Sequence, residues 1–197
     1  MVARIIDVDA MPVDFPTHRH DPVFWERLGR TVATYGFLEE ILGKAIFSFT
    51  ATRRYEEAEV DDAFAQWLPT LERALTNPLG SLIDQYGKAV HDHPEANLEG
   101  LDELLGHLRK VARLRNVLCH GSWSAPDENG ASLPLFVDQK HNVFDTAIDI
   151  AFLDQVQRNV AEVSCAVMSS VTQMGWQFPG SCGPGVPIWS RQQDQTC

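Results

Sequence analysis

The chain has 197 residues, 44% of them hydrophobic and 22% charged, with a formal net charge of −11. That length suits a single domain whose core needs neither disulfides nor a metal. The acidic balance excludes a protein that coats nucleic acid through a general basic field, so any nucleic-acid chemistry must be confined to a local basic cleft.

Residues 1–20 contain Pro12, Pro16 and a His18, Arg19, His20 cluster. They read as an extended leading segment ending in a solvated turn. A His-x-His pair can ligate a metal, but nothing nearby completes a set. Asp21 and Pro22 then open a first helix, an acceptor at the cap followed by the residue that needs no donor. Trp25, Leu28, Val32, Tyr35, Leu38, Leu42, Ile46 and Phe49 recur in threes and fours, which predicts one buried stripe to about Ala51. Arg53 and Arg54 follow near its negative end. Gly29, Gly36 and Gly43 share one edge of that helix. They point either to close approach of another backbone, in the chain or across a dimer, or to glycine tolerated in a packed helix. A second helical pattern covers 55–76, with Phe64, Trp67, Leu68, Leu71 and Leu75 inward and a kink at Pro69. Asn77 and Pro78 break it. A shorter helix over 79–91 carries Leu82, Ile83, Tyr86 and Val90.

The longest amphipathic run is Asn97 to Cys119, with Leu101, Leu104, Leu105, Leu108, Val111, Ala112 and Cys119 on its apolar face. Glu99, Asp102 and Glu103 lie at its start and Arg109, Lys110, Arg113 and Arg115 near its end, an order that suits the helix dipole. Gly121 is expected just past that end. Residues 124–132 read as loop. Leu133–Val137 and Val143–Ile148 predict a short hairpin, with Pro134 restricting the first strand to an edge. Asp149 caps a last helix through Met174, with Leu153, Val156, Val160, Val163, Val167 and Val171 inward. Residues 175–197 form a Gly/Pro-rich tail that can dock through Trp176, Phe178 and Trp189. The expected fold is mainly α: one domain over 1–174, a bundle of about five helices with a short β-hairpin before the last.

No apolar run approaches the roughly 20 residues that span a bilayer, and no signal peptide is visible. Cys119, Cys165, Cys182 and Cys197 form no Cys-x-x-Cys pair and read as reduced thiols. The expected setting is cytoplasmic, with no membrane, no metal and no cofactor.

At about 100° per residue, Arg109, Arg113, Asn116 and His120 share one stripe of the central helix. Arg115 falls instead beside Leu108, Ala112 and Cys119, on the packing face. There it needs an acceptor, either a carboxylate or a phosphate. Cys119 reads as a buried structural thiol. Glu103 and His107 are the closest approach to a di-iron pattern and are unmatched elsewhere.

Arg115-Asn116, three further residues and His120, followed by Gly121 and Trp123, resemble the signature of the HEPN superfamily. The resemblance extends to the long first helix with its Leu38-Glu39 pair, the bundle, the hairpin and the closing helix, over about residues 21–174. It implies a metal-independent endoribonuclease, working as a homodimer that brings two motifs into one cleft. Arg115 and His120 would be the catalytic pair and Asn116 would assist. Arg113, separated from His120 by six residues, also fits the spacing; the Asn after Arg115 favours Arg115, and the helical wheel favours Arg113. Arg113 and Arg109 are then substrate-binding candidates. The chemistry is coherent: histidine as a residue type moves protons near neutrality, and arginine holds a phosphate by two parallel hydrogen bonds. An antitoxin or other regulatory protein is a candidate partner. The competing expectation is a non-catalytic helical dimer that binds a protein, nucleotide or RNA, with Arg113 and Arg115 in ion pairs across the interface.

Overall fold

A computed structural model describes residues 7–51, 62, 65 and 77–180. The helix expected over 55–76, Arg53, Arg54, Trp189, Cys182 and Cys197 lie partly or wholly outside them. Among the described residues four α-helices dominate: α1 (Pro22–Ala51), α2 (Leu79–His91), α3 (Leu101–His120) and α4 (Ile150–Thr172). Strands β1 (Ser122–Trp123) and β2 (Pro134–Leu135) form a small antiparallel sheet. The fold is mainly α. No helix among the described residues is long and apolar enough to cross a membrane.

α1 starts where Asp21 Oδ1 accepts the Val23 N–H at 2.8 Å. Its core face is Phe24, Leu28, Tyr35, Leu38, Leu42, Ile46 and Phe49. Trp25 and Val32 pack only partly, because Phe24 takes the innermost place at the start. α1 packs most extensively against α4, whose Leu153, Val156, Val160, Val167 and Val171 are buried. Each such side chain taken from water contributes roughly 1.5–3 kcal/mol. Asp149 caps α4 as expected, its carboxylate accepting the Phe152 N–H at 2.7 Å. α2 joins this core through Tyr86, whose hydroxyl donates to Ser170 Oγ at 2.7 Å.

The glycines of α1 do not serve close packing among the described residues. A Cβ at Gly29, Gly36 or Gly43 would meet nothing within 4 Å. Gly87 of α2 is different, since a Cβ there would lie 2.9 Å from Leu105.

α3 begins at Leu101 rather than Asn97, because Gly100 turns the chain with φ of 77°. It ends one residue later than expected, at His120. Gly121 follows, but with φ of −68°, so it is not the left-handed cap. Its requirement is space: a Cβ would lie 2.6 Å from the Val117 carbonyl and 2.8 Å from Pro134 Cβ.

The hairpin region differs from expectation. Ser122 pairs with Leu135 and Trp123 with Pro134, so the chain just after α3 supplies a strand that hydropathy did not reveal. The second expected limb is not a continuous strand. It pairs with the first limb and its flank at the isolated bridges Ser132–Ile148 and Val137–Val143, and the Phe144 N–H donates to the Phe136 carbonyl at 2.9 Å. Trp123 holds β1 to α1 by edge contacts with Phe24 and Trp25, at centroid distances of 5.2 and 6.2 Å.

The leading segment is not extended. A short 3-10 helix at Val8–Ala10 and a series of turns bring it back onto α1. His20 is buried rather than solvated, stacked on Phe24 at 4.7 Å and edge-on to Trp25 at 5.0 Å. Past α4, Trp176 docks 4.9 Å from His93 and 5.4 Å from Phe49, and Phe178 is buried.

Candidate functional site

The last turns of α3 carry all the residues singled out in the sequence. Arg109, Arg113, Asn116 and His120 are exposed along one side. Arg115 turns toward α1, with 31% of its side chain exposed against 59% for Arg113. The structure thus puts Arg113, Asn116 and His120 in one row and sets Arg115 apart from them.

Each arginine faces a carboxylate. Arg109 donates to Asp84 at 3.0 Å, in an exposed pair worth little in water. Arg113 lies 3.9 Å from Asp138 in the hairpin loop. That carboxylate is engaged chiefly by its own turn, accepting from the Asn142 side chain at 2.9 Å and from the Asn142 and Lys140 N–H groups at 2.9 and 2.8 Å. These bonds, led by Asn142, hold Asp138 below the ordinary carboxylate range, with Arg113 the smallest contributor. Arg115 lies 3.8 Å from Glu39 of α1. This is an ion pair without a hydrogen bond, since the distance exceeds the usual range. The local basic cleft expected from sequence is therefore a row of arginines already facing acids.

Cys119 is exposed, not a buried structural thiol. It shares its angular position on α3 with Leu108, which is fully buried. The wheel gives the direction of a side chain but not whether another element lies there. At the level of Arg115 and Cys119 the packed face of α3 opens to solvent.

Two residues missed as site candidates stand behind that opening. Tyr35 sits one turn before Glu39 on α1 and is 1% exposed. Its hydroxyl has no hydrogen-bond partner among the described residues. Burial pushes the phenol well above its ordinary pKa; Cys119 adds to the shift and Arg115 opposes it. Tyr35 looks apolar in a hydropathy pattern. The signal that could have found the pair is a Tyr and a Glu spaced one turn apart on a buried stripe.

Two cavities lie elsewhere. One of about 460 Å³ separates α3 from α4, with Tyr86, Glu103, His107, Ser169 and Gln173 in its wall. A smaller one of about 190 Å³ lies by Asp21, Phe24 and Asp149. Neither includes the arginines, Asn116 or His120. Among the described residues no group of three or more His, Cys, Asp or Glu side chains could hold a metal ion.

Comparisons with protein-family models, with curated proteins and with solved structures returned no match.

Proposed function

We propose that this protein is a metal-independent endoribonuclease of HEPN type, acting as a homodimer. The observation that carries the reading is the solvent-open end of α3, where Asn116 and His120 are exposed beside an inward-turning Arg115. His120 moves the proton of the attacking 2′-OH or of the leaving oxygen. Arg115 neutralises the phosphorane, the larger electrostatic contribution. Asn116 assists, and Arg113 and Arg109 hold flanking phosphates in exchange for Asp138 and Asp84. Five residues along a helix turn a side chain by about 140°, so His120 and Arg115 of one chain do not converge on one phosphate. A second copy supplies the missing partner. The edge of α1 at Gly29 and Gly36, where an added Cβ would meet no atom of the described residues within 4 Å, is the surface such a copy would use. Purified protein should cleave single-stranded RNA in EDTA and sediment as a dimer. A strict monomer, or inert RNA, contradicts the reading.

A second reading rests on a specific observation as well. Arg115 faces Glu39 within the chain, the carboxylate pairing expected of this arginine if the motif is not catalytic and the protein is a helical dimer that binds a protein partner. Metal-free cleavage separates the two.

A further inference from the structure

A loose polar contact near the end of α3 stands one helical turn from a tyrosine whose buried hydroxyl has no hydrogen-bond partner among the described residues. Arg115 and Glu39 face each other at 3.8 Å, each about a third exposed, so neither satisfies the other fully. Beneath them Tyr35 keeps an O–H donor out of water with no acceptor among the described residues. Tyr35 and Glu39 stand one turn apart on α1, and Arg115 and Cys119 one turn apart on α3. Burial raises the Tyr35 phenol pKa, with Cys119 adding to the shift and Arg115 opposing it. Cys119 is small and exposed, so solvent reaches this end of α3. The set therefore offers one cation, one neutral O–H donor and a single competing anion.

We propose that Tyr35, Glu39, Arg115 and Cys119 form a phosphate-oxygen site in which Glu39 is a place-holder that an RNA phosphodiester displaces. RNA as the ligand rests on the function proposed above; the site itself rests on the geometry just given. A phosphodiester has only acceptors to offer. It gives the guanidinium two oxygens at hydrogen-bond range, where Glu39 gives a distant one. It also gives the Tyr35 hydroxyl its missing acceptor. Because the phenol stays protonated, it remains a donor. Glu39, carrying the same charge as the ligand, swings toward solvent, where it is already partly exposed.

The test uses the full chain in EDTA, with a 2′-O-methyl RNA octamer that cannot be cut through a 2′-OH, and inorganic phosphate as a second arm. Glu39→Gln should tighten octamer binding about fivefold or more, as loss of a competing charge-assisted contact predicts. Tyr35→Phe should weaken it about three- to tenfold while leaving the unfolding midpoint unchanged or higher, since the lost hydroxyl had no partner. A purely structural tyrosine would not move binding. Glu39→Gln that weakens or does not change binding, or Tyr35→Phe that binds as well as the parent, overturns the site. Inorganic phosphate that displaces the octamer at equal phosphate concentration overturns RNA as the ligand. Octamer binding with the expected variant pattern, without cleavage of unmodified RNA, retires the nuclease and leaves the site standing. Cleavage without that pattern does the reverse.

Discussion

Leu108 and Cys119 occupy the same side of α3 three turns apart, yet one is fully buried and the other exposed. Leu108 belongs to the buried apolar core. Nearer the end of α3, Arg115 faces Glu39 of α1, and the Tyr35 hydroxyl has no hydrogen-bond partner among the described residues. The difference shows that a regular amphipathic pattern can run past the end of its core. Where it does, polar groups that would be costly in the interior can face an opening instead.

The contrast can be broken most severely by cutting into each level. Leu108→Ala should destabilise the protein by about 2–5 kcal/mol in urea unfolding, the cost of an emptied core position. Gly121→Ala should cost about 1–3 kcal/mol, because the added methyl overlaps the Val117 carbonyl and Pro134. Its effect on RNA cleavage should exceed its effect on the midpoint, since it moves the residue next to His120.

A third prediction concerns the closed region around α1. Both ring nitrogens of His20 lack partners among the described residues, and burial lowers its pKa below 6.5. The folded state therefore resists protonation that the unfolded state accepts. Stability should be full above pH 6.5 and fall as pH drops below it toward the folded value. His20→Leu should remove that part of the pH dependence in thermal melts; an unchanged slope assigns it elsewhere.

The open level should be far more tolerant. A double-mutant cycle on Arg115 and Glu39 should give a coupling below about 1 kcal/mol, as expected for a solvent-screened pair. Cys119→Ala should change stability by no more than about 0.5 kcal/mol. A loss as large as that of Leu108→Ala would mean the opening is closed in solution.

The helices were legible because their apolar residues recur in threes and fours and their ends carry local signals. Asp21-Pro22 and Asp149 mark starts by chemistry that acts within three residues, and both were found where expected. The arrangement of Arg113 and Arg115 on different sides of α3 also followed from helical geometry. The start of α3 was harder, because Gly100 caps by conformation and not by a side chain. Strand β1 was not legible, since two residues carry no period and its pairing depends on a loop that returns ten residues later. The burial of His20 depends on Phe24 and Trp25 together, which no local pattern contains. The exposure of Cys119 and the carboxylates facing the arginines are tertiary facts, set by how α1, α2 and the hairpin lie alongside α3.

The most direct measurement is the rate of RNA cleavage in EDTA by the parent protein and by His120→Ala, with folding checked by circular dichroism. Removing an acid–base group should lower the rate by about a hundredfold or more while the spectrum and melting point stay the same. Equal rates in the two proteins, or no cleavage by the parent, would contradict catalysis at the end of α3.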